Sequence, residues 1–175
     1  MNTREEMLHI VPKGGVCAEI GVFSGDFSKV IYNTIGPSKL YLVDFFKGEV
    51  SSGDKNGENE RRISLDKSYS DLLKYFKETD SVELYRGSSF DFLSSLPDGY
   101  LDFIYIDGDH SFKGVSSDLL LSRNKVKRNG IISGHDYCPR FSGVMKALDE
   151  FVNKFKLKAT FTTQDKIPSF YVINK

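Results

Sequence analysis

The sequence predicts an α/β fold in which a doubly wound, mostly parallel seven-stranded sheet ends in a C-terminal antiparallel hairpin. Short apolar runs alternate with segments of helical periodicity, which is typical of strand–helix units around a parallel sheet. The run 103–106 is apolar throughout, as expected for a strand buried on both faces. Near the end, only residues 164–168 separate two strand-like runs. Because this gap is too short for a crossover helix, the two runs must pair antiparallel.

Local signals place the elements in order. The predicted strands are residues 16–20, 40–44, 82–86, 103–106, 131–134, 157–163 and 169–174. Three predicted helices cover residues 26–35, 65–77 and 90–95. Two more follow: one runs from Val115 to a stop at Asn129 and Gly130, and an amphipathic helix covers 144–155.

Length and composition exclude several classes of protein. The chain has 175 residues, enough for one domain with a buried core, and we take residues 1–175 as that domain. Its 24 basic and 24 acidic side chains balance, which excludes a general nucleic-acid or membrane surface. Cys17 lies in an apolar run and predicts a buried free thiol, as in a reducing compartment. No signal-peptide core follows Met1 and no apolar run has the length of a membrane span, so we expect a cytoplasmic protein.

Residues 47–60 are rich in Gly, Ser, Asn, Asp and Glu and predict a loop on the ligand side of the sheet. A calcium loop starting at Asp54 would need glycine and glutamate at its sixth and twelfth positions. Asn59 and Leu65 stand there, which excludes that motif. The loop is therefore either a lid over a ligand or a plain surface insertion.

A glycine-containing loop follows the first predicted strand. Gly21 and Gly25 let the backbone approach a ligand closely, although a tight turn without a ligand uses the same residues. Phe23 stands where the G-x-G-x-x-G pattern of a pyrophosphate cradle has its second glycine. Asp44 ends the second strand about twenty residues downstream, where an acid binds ribose hydroxyls. Ribose recognition without a pyrophosphate cradle predicts an adenosine ligand such as S-adenosylmethionine, with Glu19 facing its cationic end.

Acidic and imidazole side chains follow the fourth and fifth predicted strands. Asp107, Asp109 and His110 come directly after the fourth strand, and His135 and Asp136 follow the fifth. Ligands of open α/β sheets bind outside the carboxyl ends of the strands, so the cluster is placed for chemistry or for metal binding. Asp109 has a plain alternative role as the cap of the next helix.

Taken together, these motifs resemble those of class I S-adenosylmethionine-dependent methyltransferases. Within that class the chain is similar to the small-molecule O-methyltransferases related to macrocin O-methyltransferase and, more distantly, to catechol O-methyltransferase. The matching segments keep the family's order over most of the chain and are residues 19–25, 43–44, 86–89, 106–110, 134–137 and 143–144. The resemblance implies a Rossmann-like fold and one S-adenosylmethionine-dependent methyltransferase domain over residues 1–175.

The resemblance also implies a cofactor site. The residues expected to bind the methionine part of the donor are Glu19, Gly21, Phe23 and Gly25. Asp44 is expected at the ribose, with Ser88 and Ser89 near the adenine. A helix cap is an equal alternative for the two serines.

The implied reaction site lies at the ends of strands four and five. Asp107 and His110 are the expected catalytic residues, with His110 as the general base. Asp107, His135 and Asp136 are expected to hold Mg²⁺ or Mn²⁺. The catechol pattern has Asp then Asn at the last two positions, and the imidazole of His135 would suit Mn²⁺ or a transition metal better than Mg²⁺.

The expected activity is S-adenosylmethionine-dependent methylation of a hydroxyl on a small molecule such as a sugar or a natural product. The expected partner is therefore a small hydroxylated acceptor, and a homo-oligomer is compatible with the sequence. Two alternatives stay open: a non-catalytic S-adenosylmethionine-binding module, and a nicotinamide-dependent oxidoreductase, which the missing glycine disfavours.

Overall fold

The protein is represented by a computed structural model that describes residues 1–52 and 61–175. Its strands are β1 (Val16–Ile20), β2 (Lys39–Asp44), β3 (Glu49–Ser52), β4 (Arg61–Ser64), β5 (Val82–Arg86), β6 (Leu101–Ile106), β7 (Val126–Gly134), β8 (Ala159–Phe161) and β9 (Phe170–Ile173). Its helices are α1 (Arg4–Met7), α2 (Asp26–Ile35), α3 (Leu65–Tyr75), α4 (Ser89–Ser95), α5 (Phe112–Lys125) and α6 (Ser142–Phe155). Single 3₁₀ turns cover Leu8–Ile10 and Pro139–Phe141.

The central sheet has seven strands in the order β5-β2-β1-β6-β7-β9-β8. β9 pairs antiparallel with both β7 and β8, and the other neighbouring strands pair parallel. The predicted fold class, including the C-terminal antiparallel hairpin, is confirmed. The chain runs outward from β1 through β2 to β5 and then returns to β6 beside β1. The crevice at such a reversal, outside the carboxyl ends of the strands, is where doubly wound sheets bind ligands.

Both faces of the sheet are covered. Phe103 and Tyr105 of β6 belong to an apolar cluster that also holds residues of α1, α2 and α3, whereas Ile104 and Ile106 pack with residues of α5 and α6. All four side chains are buried, which explains why the run shows no polar alternation. Cys17 is a fully buried free thiol, as predicted.

One predicted boundary is wrong. The helix expected to reach Asn129 ends at Lys125, and Val126 already has extended geometry and pairs with Leu101. Val126 is buried and stands at helical spacing from Ser122, which is why the periodicity predicted a longer helix than the structure has. Asn129 has a positive φ of 65°, which marks a bend within β7 and not a helix end. Among the described residues no helix is both long and apolar enough to cross a membrane.

The segment predicted as a loop over 47–60 contains strand structure. β3 and β4 form an antiparallel pair with Glu49 opposite Ser64. The backbone N–H of Leu65 donates to the carbonyl of Gly48 and closes the base of this pair. Residues 53–60 lie outside the described part of the chain. The choice between a lid and a surface insertion concerns these residues and therefore stays open.

Candidate functional site

The loop after β1 lies directly against the end of β6. Gly21 has a φ of 85°, and a Cβ at that position would stand 2.1 Å from the backbone oxygen of Asp107. Only glycine therefore fits where the two strand ends meet. Gly25 is the left-handed N-cap residue of α2, and a Cβ there would stand 2.4 Å from the side chain of Leu72.

Asp44 ties this loop to the end of β2. Its Oδ2 accepts hydrogen bonds from the backbone N–H groups of Val22 (2.9 Å) and Phe23 (3.1 Å). Its Oδ1 accepts one from Phe46 N at 2.9 Å. Phe23 has a positive φ of 56°, an unfavourable conformation for a bulky residue that these contacts help to maintain. Oδ1 accepts only one hydrogen bond and therefore still has a lone pair for a ligand hydroxyl.

A groove of about 550 Å³ runs from this loop to the ends of β2, β5 and β6. That volume is typical of a site for a small ligand or cofactor. Four of the residues predicted to bind the cofactor line the groove: Gly21, Phe23, Asp44 and Ser89. Asp107 and His110 line it too, so the groove connects the predicted cofactor loop with the predicted reaction site.

Three other predicted cofactor residues lie outside the lining. Gly25 packs against Leu72, as described above. Ser88 is the N-cap of α4: its Oγ accepts from Asp91 N at 3.0 Å and donates to the Asp91 carboxylate at 2.6 Å. The helix-cap interpretation therefore describes Ser88, while Ser89 faces the groove.

Glu19 is the third residue outside the lining. Its side chain is 2% exposed and accepts a hydrogen bond from the Ser28 hydroxyl. Burial raises the pKa of Glu19 to about 8, and the Ser28 bond opposes that rise. A cationic ligand group placed above Glu19 would stabilise the ionised carboxylate.

The ends of β6 and β7 bring four titratable side chains together in what we call the carboxylate–imidazole cluster: Asp107, His110, His135 and Asp136. His110 Nε2 lies 2.7 Å from Asp136 Oδ2 and 3.7 Å from Asp107 Oδ1. His135 Nδ1 lies 3.0 Å from Asp136 Oδ1 and 3.8 Å from Asp107 Oδ2. Parallel pairing with Ile106 opposite Gly134 sets these two strand ends side by side.

Asp136 is the centre of the cluster. It is 6% exposed, and each of its two carboxylate oxygens faces a different imidazole. Burial acts to raise the pKa of Asp136, but the contacts with His110 and His135 outweigh it and hold that pKa below its usual range. Its backbone has a positive φ of 64°, a strained conformation of the kind that accumulates at functional sites.

His110 is held both at its ring and at its backbone. Its ring packs on Phe141 with centroids 4.5 Å apart. Gly143, at the start of α6, lies so close that a Cβ would stand 2.5 Å from the His110 backbone oxygen. Contacts with the Asp107 and Asp136 carboxylates raise the pKa of His110 to about 10 against the opposing effect of burial.

Asp109 does not cap α5 in the way the sequence suggested. The N-cap is Ser111, whose Oγ accepts from Gly114 N at 3.1 Å. Asp109 instead accepts from Ser111 through both the backbone N–H (2.7 Å) and the hydroxyl (2.9 Å). It therefore orders the turn between β6 and α5.

Sequence reasoning missed several residues at the site. Val50 of β3 and Leu65 of α3 line the groove, and neither carries a local signal of ligand contact. Arg86 donates from Nη2 to the Phe46 carbonyl at 2.6 Å and pairs with Asp66, which holds the chain after β2 in place. Only the charge of Arg86, within a matching segment, could have drawn attention to it.

The donor atoms of the cluster suit a metal ion. One ligand atom from each of Asp107, His110 and Asp136 lies within 4.8 Å of the other two. His110 Nε2 is sealed from solvent and forms no hydrogen bond, because its short contact with Asp136 Oδ2 is not in line with a ring N–H. A buried ring nitrogen without a partner, beside two carboxylates, fits a metal ligand.

Comparison with known proteins agrees with this architecture. The Methyltransferase domain family matches residues 18–137, from β1 to the end of the cluster. No curated protein matches the chain by sequence. The chain shares its fold with a precorrin-6y C5,15-methyltransferase from Geobacter metallireducens, at 14% identity over 98% of this chain and 86% of that one, with a TM-score of 0.69.

Two further solved structures have the same fold. A protein assigned as a caffeoyl-CoA O-methyltransferase from Staphylococcus aureus has 11% identity over 97% of this chain and 80% of that one, with a TM-score of 0.65. Aeropyrum pernix fibrillarin, solved with natively bound S-adenosyl-L-methionine, has 14% identity over 93% of this chain and 68% of that one, with a TM-score of 0.62. At such identities the likeness concerns the fold alone.

Proposed function

Because the chain belongs to the methyltransferase domain family, we propose that it is an O-methyltransferase that transfers the methyl group of S-adenosylmethionine to a hydroxyl of a small acceptor. The observation that carries the proposal is the shared groove: Gly21 and Asp44 line one part of it, and Asp107 and His110 line another. A donor bound at the loop therefore has acid–base groups beside it.

The donor is proposed to lie along the groove with its ribose hydroxyls at Asp44 and its adenine towards Ser89. Asp44 is suited to this because its position is already fixed by three backbone N–H groups, so little order is lost on binding. The methionine end then lies at Gly21, above the buried Glu19. A carboxylate there balances the charge of the ligand's ammonium group.

The cluster supports a hydroxyl as the acceptor group. Methyl transfer needs a nucleophile aligned with the methyl group and relieved of its proton, and a hydroxyl is a weak nucleophile near neutral pH. Two imidazoles, His110 and His135, lie at the cluster, and the resemblance assigns the proton to His110. A divalent ion held by the Asp107 and Asp136 carboxylates would oppose the raised pKa of His110 and free its ring to accept that proton. The proposal includes a divalent ion there, which would lower the pKa of the acceptor hydroxyl as a Lewis acid.

The size of the acceptor is part of the proposal. The described residues form one sheet, the helices that cover it and the small β3–β4 pair. We therefore propose that the loops at the strand ends supply the acceptor site, which suits a small molecule. One of the proteins that share this fold is assigned as a caffeoyl-CoA O-methyltransferase, so the fold is compatible with the reaction class proposed here. A sugar or natural-product hydroxyl is the acceptor class we propose.

A methyl-transfer assay tests the proposal. The full chain is incubated with S-adenosylmethionine, Mn²⁺ and a panel of hydroxylated sugars and phenolic or polyketide natural products, and release of S-adenosylhomocysteine is measured. We expect acceptor-dependent turnover that His110→Ala lowers by about 100-fold or more. His9→Ala is the matched control, because His9 is exposed at the N-terminal segment and its loss should leave turnover unchanged.

Two outcomes of that assay contradict the proposal. Turnover with amine or carbon acceptors, and none with hydroxyls, would exclude O-methylation. Binding of S-adenosylhomocysteine without turnover on the whole panel would favour a non-catalytic binding module.

A further inference from the structure

We infer that Arg4 binds the carboxylate of the methionine part of the methyl donor, and that it thereby selects donors that carry this group. The inference rests on the proposed function, since it takes S-adenosylmethionine as the ligand of the groove. Arg4 lies outside residues 18–137, which the Methyltransferase domain family matches, and the sequence predicted no site residue before Glu19.

The backbone of Arg4 is held by the connection between β8 and β9. Its N–H donates to Asp165 Oδ2 at 2.9 Å. The carbonyl of Asn2 accepts from the backbone N–H of Gln164 at 2.8 Å, and Met7 at the end of α1 is fully buried. The segment is thus anchored on both sides of Arg4, so the side chain extends from a fixed position and little order is lost on binding.

The Arg4 guanidinium lies against residues of α2 and β6. Its Cζ is 4.3 Å from the centroid of the Phe27 ring, which is a cation–π contact. Burial acts to lower the pKa of Arg4, but the Tyr105 hydroxyl and the Asp107 carboxylate outweigh it and raise that pKa. The Tyr105 hydroxyl is itself 3.2 Å from Ser169 Oγ, so it has a fixed position beside the guanidinium.

The register of the sheet places this guanidinium beside Glu19. β1 pairs parallel with β6 with Glu19 opposite Tyr105, so the two side chains are neighbours on the same face of the sheet. Burial raises the pKa of Glu19, and the charge of Arg4 opposes that rise, as expected for a cation close to the carboxyl. Arg4 therefore lies next to the place proposed for the ammonium group of the donor.

A methionine group needs two opposite charges side by side, because its ammonium and carboxylate groups are attached to the same carbon. Glu19 and Arg4 supply such a pair, and a guanidinium matches a carboxylate through two parallel hydrogen bonds. The Arg4 side chain is 32% exposed, and its nearest described anion is the exposed Glu5, 3.7 Å from Nε. A guanidinium has five N–H donors, so these contacts leave donors for a ligand.

A pair of nucleosides that differ only in the carboxylate tests the inference. Calorimetry on the full chain compares S-adenosylhomocysteine with decarboxylated S-adenosylhomocysteine, which keeps the adenosine, the thioether and the ammonium group. We expect the wild type to bind the decarboxylated nucleoside about 10- to 100-fold more weakly, the range of a charge-assisted hydrogen-bonded pair. In Arg4→Met this discrimination should disappear, because S-adenosylhomocysteine loses affinity and the decarboxylated nucleoside does not.

The ratio of the two affinities separates ligand contact from a structural role. A loosened segment, or a change in the ionisation of Glu19, would weaken both nucleosides alike, since both carry the ammonium group. Arg128→Met is the matched control: Arg128 is exposed near the start of β7, at the opposite end of that strand from the site, and its loss should leave both affinities unchanged. Where Arg4→Met fails to fold, Arg4→Lys replaces it and should lower the discrimination several-fold, because lysine lacks the paired N–H groups.

Three outcomes overturn the inference. Equal affinity of the wild type for the two nucleosides would show that no group binds the carboxylate. Equal weakening of both nucleosides in Arg4→Met would assign Arg4 a structural role. Unchanged S-adenosylhomocysteine affinity in Arg4→Met, together with a raised KM for carboxylate-bearing acceptors, would assign the cation to the acceptor.

The same titrations distinguish this inference from the proposed function. If both nucleosides bind the wild type equally, the donor site is present and only the role of Arg4 is wrong. If neither nucleoside binds, the proposed function fails and the inference fails with it.

Discussion

The groove around Asp44 and the carboxylate–imidazole cluster are neighbours of opposite character. In the groove the chain satisfies its own polar groups, since the Asp44 carboxylate accepts hydrogen bonds from three backbone N–H groups. In the cluster two carboxylates lie beside two imidazoles, and His110 Nε2 has no hydrogen bond. The groove is thus preformed for its ligand, whereas the cluster needs a further group to satisfy it.

Gly21 connects the two regions, and its substitution should have the largest effect. In Gly21→Ala the new Cβ would meet the backbone oxygen of Asp107 at 2.1 Å, at a φ of 85°. We expect the free energy of unfolding to fall by about 3 kcal/mol, because backbone atoms cannot move aside as a flexible side chain can. Urea denaturation followed by circular dichroism measures this loss.

Gly36→Ala is the matched control for that experiment. Gly36 is also left-handed, with a φ of 60°, but no atom lies within 4 Å of the Cβ that would be added. Its cost should be about 1 kcal/mol, from the backbone conformation alone. Equal losses in the two variants would show that the contact between the loop and β6 is unimportant.

Glu19 gives the next effect, a pH dependence of cofactor binding. Burial raises its pKa to about 8, so the carboxyl is mostly protonated near neutral pH in the free protein. An ammonium group bound above it would favour the ionised form, so binding should release a proton and affinity should rise with pH up to about 8. We expect S-adenosylhomocysteine affinity to increase roughly tenfold from about pH 6.5 to about pH 8.

Calorimetry in buffers of different ionisation enthalpy measures that proton release directly. Glu19→Gln should remove both the release and the slope, since glutamine does not titrate in this range. A wild-type affinity that is independent of pH would show that Glu19 does not interact with the ligand's ammonium group.

Substitution of the two serines after β5 should give the smallest effects. We expect Ser88 to affect stability alone and Ser89 to affect cofactor binding. Ser88→Ala removes the N-cap of α4, which should lower the free energy of unfolding by about 1 kcal/mol and leave S-adenosylhomocysteine affinity unchanged. Ser89→Ala changes a residue that lines the groove and should weaken that affinity by up to about tenfold. Thermal unfolding and calorimetry on both variants measure the two quantities, and a loss of affinity in Ser88→Ala would contradict the division.

The fold followed from the sequence because its signals are local. Apolar runs such as 103–106 and the short gap between the last two strands specified a parallel sheet with one reversed strand. The errors arose where two tendencies compete, as at Val126, whose buried side chain continued the helical spacing although its backbone had entered β7. The β3–β4 pair was missed because Glu49–Ser52 carries no apolar run.

The sequence predicted which residues lie at the candidate site, but not which of their side chains contact one another. A contiguous loop and one acid at a strand end specified Gly21 and Asp44. Which imidazole faces which carboxylate oxygen depends on the register of β6 with β7 and on the strained backbone of Asp136. Such long-range geometry has no trace in residue spacing, so the sequence named the four side chains of the cluster but not the contacts between them.

Calorimetric titration of S-adenosylhomocysteine into the metal-free full chain, with Asp44→Ala and Asp44→Asn beside it, tests the central claim most directly. We predict one site per chain with micromolar affinity in the wild type. Asp44→Ala should weaken binding by about 100-fold or more, and Asp44→Asn by less, because the amide retains one acceptor oxygen. Absence of binding to the wild type, or equal binding by all three proteins, would contradict the account.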